Sequence, residues 1–152
     1  MGEEPKLSWD HVERRLRNSR SYWLSTTRPD GRPHARPVWG VWREGSLWFG
    51  TSQDSQKGRN LAAAPYLVAH LESADDVVIL EGEVEIVRER AIAEPVLGAY
   101  AEKFAIDAGE AGFGELESDT GAALYRLTPQ VVHAWLEGAF AETQSRWEPP
   151  PR

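Results

Sequence analysis

Leu47-Trp48-Phe49-Gly50-Thr51-Ser52-Gln53-Asp54-Ser55-Gln56-Lys57-Gly58-Arg59-Asn60-Leu61 joins three kinds of sequence in one short stretch. An aromatic, apolar run that suits a strand gives way to a hydroxyl-rich turn, and Leu61 to Ala64 suit a helix. A strand end feeding a helix N-terminus is anion-binding architecture. The first amides of such a helix lack intrahelical acceptors and sit at the positive end of its dipole. Thr51, Ser52 and Ser55 add hydroxyl donors, and Lys57 and Arg59 add positive charge. The same residues also spell an ordinary serine-capped helix with a solvated basic first turn. The stretch alone leaves both readings open.

The flanking sequence predicts the strands around it. Ser21 to Thr27 is rich in aromatic and β-branched residues and runs into Arg28-Pro29-Asp30-Gly31, a hairpin turn. The return strand, Arg32 to Arg43, carries Pro33 and Pro37, which cannot donate ladder hydrogen bonds and so imply an edge, a bulge or a place where something other than a strand lies alongside. Glu44-Gly45 turns the chain into the strand Ser46 to Gly50. Beyond the helix, Tyr66 to Glu72 and Val77 to Val87 read as strands. In the second, Glu81, Glu83 and Glu85 alternate with Gly82, Val84 and Ile86, which gives one water-facing side.

Leu7 to Ser19 predicts a short amphipathic helix closing one end of a barrel, with Ser8 as its cap and Val12 and Leu16 on its apolar face. Arg88 to Phe104 switches to helical spacing through Ile92, Val96, Tyr100 and Phe104, with Pro95 opening or kinking the helix. Ala105 to Thr120 is acidic and glycine-rich, a loop or mobile flap. Ala122 to Leu127 and Val131 to Leu136 predict two final strands on either side of Thr128-Pro129-Gln130. The expected fold is mainly β: a split antiparallel barrel of about seven strands, which solves the edge problem, with roughly three connecting helices. Residues 1–147 form one domain, and the proline-rich 148–152 a disordered tail.

Composition narrows the function. The 152 residues contain no cysteine, which removes disulfides and thiolate sites and suits a reducing compartment. No stretch has the length of a membrane span, and the N-terminus lacks the apolar run of a signal peptide, so the expectation is a cytoplasmic protein. A formal net charge of −7 argues against a nucleic-acid binder. Yet Arg20 to Asn60 holds seven basic residues against three acidic ones. A local cationic patch on an acidic protein suits a small anionic ligand. His11, His34, His70 and His133 are scattered without zinc spacing, so no metal site is expected. Hydrolase, Walker and Rossmann motifs are missing as well. Strand histidines such as His34 are more often packed or at the surface than catalytic, and alternating Glu81, Glu83 and Glu85 more often a solvated face. The seven tryptophans suit core or interface anchors, and those beside the anion stretch would also suit a flat aromatic ligand.

Trp23-Leu24-Ser25-Thr26, Asp30-Gly31-Arg32-Pro33-His34, Pro37-Val38-Trp39, Leu47-Trp48-Phe49-Gly50-Thr51, Ser55-Gln56-Lys57-Gly58-Arg59-Asn60-Leu61 and Glu81-Gly82, in this order, resemble the split β-barrel flavin and deazaflavin oxidoreductases, the superfamily of pyridoxamine 5′-phosphate oxidase. The resemblance covers Ser21 to Trp147. It implies a homodimer with two interfacial sites for FMN or the deazaflavin coenzyme F420, and hydride transfer to or from a small organic substrate. By position, Thr51, Ser52, Ser55 and Lys57 would hold the cofactor phosphate, with Arg59 and Asn60 supporting the turn. Pro37, Val38 and Trp39 would offer backbone groups and a wall to the ring system, and Arg28, Arg32 or Arg36 would meet an anionic cofactor tail. Thr143-Gln144-Ser145-Arg146-Trp147 looks like the Thr-Arg-Trp tail of the actinobacterial deazaflavin branch, here interrupted by Gln-Ser. The resemblance would bring Arg146 and Trp147 near the partner's site.

Two departures count against oxidation of pyridoxamine phosphate itself: the arginine-rich C-terminal pattern of those enzymes is missing, and this chain is shorter. The tail and the Pro-Val-Trp segment favour F420 over FMN. No side chain is singled out as a catalytic acid or base, since a hydride step needs proximity more than a protein proton donor. A non-catalytic carrier or sensor of the same cofactor would need the same pocket, and so would leave the same sequence.

Overall fold

Ser8 opens the first helix, α1 (Trp9–Asn18), by accepting from the His11 amide at 3.1 Å, and the buried Val12 and Leu16 fix which face turns inward. The structure, a computed structural model, describes residues 4–107 and 116–152. The strands are β1 (Ser21–Thr27), β2 (Pro33–Arg43), β3 (Ser46–Ser52), β4 (Tyr66–His70), β5 (Asp76–Ile86), β6 (Ala122–Leu136) and β7 (Ser145–Trp147). Three further helices are α2 (Gln56–Ala63), α3 (Arg90–Phe104) and the short α4 (Phe140–Thr143), with a 3₁₀ turn at Glu137–Ala139 before it. Among the described residues, no helix is long and apolar enough to cross a membrane.

All pairings are antiparallel, in the order β3-β2-β1-β4-β5-β6, and a β3–β6 pairing closes the ring; β7 adds a seventh strand on β6. Closure leaves few free edges, as expected of this pattern. The turns carry the residues their backbone demands. Gly31 has φ +88 in the first hairpin, and Glu44 and Gly45 have φ +51 and +74, the doubly left-handed pair that a two-residue hairpin needs. Among the described residues, Pro33 and Pro37 lie where β2 pairs with β1 alone; β3 joins β2 from Gly40 onwards. Their missing donors therefore face an unpaired edge, as the sequence implied.

The predicted pair of final strands is one. β6 runs unbroken through Thr128-Pro129-Gln130, and the register against β5 slips there: Glu81 faces Val131 and Gly82 faces Pro129, leaving Gln130 as the extra residue of a bulge. Thr128 O lies 2.2 Å from where a Gly82 Cβ would stand, so only glycine tolerates this approach. The edge of β6 that β3 leaves after Leu127 is taken up by β7 at Val132 to Ala134. Seven strands result by a different route from that predicted.

Inside the ring, Leu24, Leu47, Phe49, Leu67, Leu80, Leu127 and Val132 form the core, with Val12 and Leu16 of α1 and Leu61 of α2 packed into it. Each such side chain contributes on the order of 1.5 to 3 kcal/mol of burial. A second layer lies outside, where α3 covers Trp48, Val41 and Leu124. Its buried stripe is Ala93, Val96, Tyr100 and Phe104. Ile92, predicted on that stripe, is 38% exposed, so Ala93 takes its place. Pro95 sits within α3, which begins at Arg90 rather than Arg88. Half of the predicted loop or flap, residues 108–115, falls outside the described residues.

Candidate functional site

Helix α2 begins as its sequence dictates. Ser55 Oγ accepts from the Gly58 amide at 3.1 Å and donates to the Ser52 carbonyl at 2.6 Å, so this hydroxyl is committed to the cap. Ser52 Oγ accepts from the Asp54 amide at 3.2 Å, and Thr51 Oγ1 stands 3.4 Å from Ser55 Oγ. A Cβ on Gly58 would lie 2.5 Å from the carbonyls of Ser52 and Gln53, so the first turn of α2 is seated directly on the end of β3.

Two predicted residues brace this turn. Arg59 donates to the Asp54 carbonyl at 2.5 Å and to Gln56 Oε1 at 2.9 Å, which turns its guanidinium back on its own helix. Asn60 is fully buried; it donates to Thr26 Oγ1 at 2.9 Å and accepts from Gln56 Nε2 at 2.8 Å. The bond to Thr26 ties α2 to β1. Thr26 in turn faces His34 across the β1–β2 ladder.

Around His34 the structure gathers positive charge. Its ring is 6% exposed, and Nδ1 has no hydrogen-bond partner. Burial first, and then Arg36, Arg28 and Lys57, hold its pKa below the ordinary histidine value. Burial and Arg36 also lower the pKa of Lys57. Arg36 shares its β2 face with His34 and donates to the neighbouring Ala35 carbonyl at 2.8 Å. Among the described residues, no carboxylate forms an ion pair with Arg28, Arg36 or Lys57, whereas Arg32 is paired with Asp30 at 2.9 Å. Three cations thus crowd one buried, neutral-biased imidazole without a counter-charge. An anion would find strong attraction there.

The other predicted residues lie elsewhere in the chain. Val38 is half-buried on the inner side of β2, while Trp39 is 42% exposed on the outer side, stacked on Phe104 with centroids 4.6 Å apart and with Arg20 above its ring. Pro37 faces the outward Trp23 across the ladder. Trp147 is buried edge-on against Trp9 at 5.3 Å, and Arg146 pairs with Glu148 at 2.6 Å, both on the stretch of β6 that β3 has left. The single chain therefore does not bring Arg146 and Trp147 to the cationic cluster.

The sequence suggested a packed or surface role for His34 and an anionic-tail contact for Arg28, whereas the structure lets Arg28, Arg36 and Lys57 all act on His34. Their signal was present but non-local: His34 and Arg36 alternate onto one strand face, and Arg28 joins them only once the hairpin register is known. A cavity of about 350 Å³ lies beside α2, but Asp54, Glu85 and Asp119 line it, which makes it no home for an anion. Another of about 650 Å³ opens between the β4–β5 turn and Trp135, away from α2. Among the described residues, no group of three or more His, Asp or Glu is arranged to hold a metal ion.

A closed six-stranded antiparallel barrel with one added strand, and a charged helix start seated on its rim, define a split-barrel protein. The chain belongs to the pyridoxamine 5′-phosphate oxidase family, whose profile matches residues 8–136. A pyridoxine/pyridoxamine 5′-phosphate oxidase from Methylibium petroleiphilum is 34% identical over 139 residues, which cover 82% of this chain and 63% of that protein. The chain thus spans less than two thirds of that relative's length. Among solved structures, a conserved hypothetical protein from Mycobacterium tuberculosis superposes with a TM-score of 0.71 at 24% identity, covering 86% of this chain and 85% of the other. A protein described as an F420 reductase matches with a TM-score of 0.60 at 21% identity, covering 83% and 96%. At these identities the structural likenesses concern the fold.

Proposed function

We propose that this protein is an oxidoreductase that binds a flavin-type cofactor by its phosphate, coenzyme F420 in preference to FMN, and passes hydride between it and a small organic substrate. The observation that carries this reading is the uncompensated cluster of Arg28, Arg36 and Lys57 around buried His34, at the helix start where the sequence predicted a phosphate. The fit to a phosphate is chemical as well as positional. An orphaned buried ring nitrogen and three unpaired cations are what a ligand with several acceptor oxygens would satisfy. Membership of the pyridoxamine 5′-phosphate oxidase family supports a flavin, and the fold shared with an F420 reductase is compatible with the deazaflavin.

In this reading Lys57, Arg36 and the Thr51 hydroxyl contact the phosphate, while Ser52, Ser55, Arg59 and Asn60 hold the turn in shape. The cofactor supplies the hydride chemistry, and the protein supplies binding, orientation and exclusion of water. The backbone of Pro37, Val38 and Trp39 borders the ring system. Arg146 and Trp147 reach a site only from a second copy of the chain. A homodimer is supported by the outer sheet face, where Trp23 at 38%, Trp39 at 42% and Tyr66 at 42% exposure leave large apolar rings in water.

The test is the visible spectrum of the purified protein, followed by titration with FMN and with F420, then turnover with a panel of quinones and other conjugated acceptors. Saturable binding of F420 tighter than FMN, with turnover, is the expected result. Failure to bind either cofactor overturns the reading. Binding with no oxidation by any acceptor leaves a carrier rather than an enzyme.

A further inference from the structure

We infer that His34 is a proton-coupled member of this site: when a phosphate-class anion enters among Arg28, Arg36 and Lys57, the His34 ring takes up a proton and becomes the fourth positive group around it. The inference rests on the proposed anion site, and goes beyond it by assigning a role to a residue that contributes nothing to the fold's hydrogen bonding through Nδ1.

The argument begins with what His34 lacks. A ring nitrogen sealed from water without a partner forfeits its hydration with nothing in return, and packing alone would be served better by an apolar residue. Its neighbours come from three elements: Arg36 on its own strand, Arg28 from the hairpin turn, and Lys57 from α2. The remaining nearby polar groups, Thr26 and Asn60, are neutral and bonded to each other. No carboxylate opposes the cations, so in the ligand-free chain every charge around the ring disfavours its protonation. A bound anion offsets most of that field. It both offers an acceptor to a protonated ring and cancels the repulsion that kept it neutral. Reciprocity then requires that anion affinity fall as pH rises through the interval between the ring's free and bound pKa values.

Sulfate is the probe of choice, because it stays a dianion across the histidine range. NMR titration of the imidazole resonances, with and without sulfate at matched ionic strength in chloride, follows His34 directly. His34→Gln assigns its signal, and His11, His70 and His133 serve as internal references. The expected result is a His34 pKa below the ordinary value in chloride that rises by about one unit or more with saturating sulfate, as an adjacent opposite charge does. Sulfate affinity should fall by up to about tenfold per pH unit across that interval, and the dependence should vanish in His34→Gln. A His34 pKa indifferent to sulfate, or no sulfate binding at the cluster, overturns the inference. The two readings separate cleanly. A His34 shift with sulfate in a protein that binds neither FMN nor F420 removes the cofactor reading and keeps the proton coupling. FMN binding with a static His34 does the opposite.

Discussion

Asn60 Nδ2 donates to Thr26 Oγ1 at 2.9 Å, and the two residues are 0% and 2% exposed. This buried bond joins helix α2 to strand β1, and so sets Lys57 against the strand pair that carries His34 and Arg36. Breaking it in Asn60→Ala should leave the Thr26 hydroxyl and Gln56 amide without a partner, at a cost of about 1 to 3 kcal/mol. Urea unfolding measures this. The control is Thr26→Val: if the bond is the source, Asn60→Ala costs less in that background than in the native chain. Equal costs in both would place the effect in lost packing instead.

Much of this architecture could be read from local sequence because its causes are local. Ser55 caps α2 through its own first turn, the Asp30-Gly31 and Glu44-Gly45 turns carry their own backbone requirements, and strand alternation marks the faces. Misreadings arose where the deciding partner is distant in sequence. Thr128-Pro129-Gln130 has turn composition, yet it continues β6, because Gly82 on the neighbouring strand leaves room for the Thr128 carbonyl. The short β7 exists only because β3 departs from one edge of β6. In the site, hydroxyl and guanidinium groups that composition offers to a phosphate are partly consumed at home: Ser55 caps, and Arg59 braces. The reverse holds for His34, whose meaning depends on Arg28 across a turn and on Lys57 from another element.

Lys57 separates binding from folding. Burial and Arg36 both disfavour its charge in the ligand-free chain, and no acceptor compensates it among the described residues. Lys57→Ala should therefore leave the unfolding midpoint in urea unchanged or raised at neutral pH. The same change removes a charge-assisted contact of about 1.5 to 3 kcal/mol to a bound phosphate, roughly a 10- to 150-fold loss of affinity. Fluorescence titration with FMN and F420 reads it, and Lys57→Arg should restore part of the loss. Unchanged affinity in Lys57→Ala would show that the phosphate lies elsewhere.

Towards the other end of β2, Lys103 Nζ donates to the carbonyls of Ser19 and Gly40 at 2.5 and 2.7 Å and to Tyr22 Oη at 3.2 Å. Burial, reinforced by Arg20, brings its pKa down from 10.5 to about 8. The unfolded chain thus holds this proton to higher pH than the folded one, so stability rises with pH from about 8 towards the ordinary lysine value. Lys57, lowered in the same way, adds in the same sense. The tyrosines act oppositely. Burial raises Tyr22, Tyr100 and Tyr125 above their ordinary 10.0, so above that pH the unfolded chain ionises first and stability falls. Urea midpoints for the ligand-free protein should therefore climb between about pH 7.5 and about pH 9.5 and drop by about pH 11. Lys103→Met should flatten the climb, and Tyr22→Phe should soften the drop. A climb that persists undiminished in Lys103→Met would assign it to another group and leave the Lys103 ammonium fully charged in the folded protein.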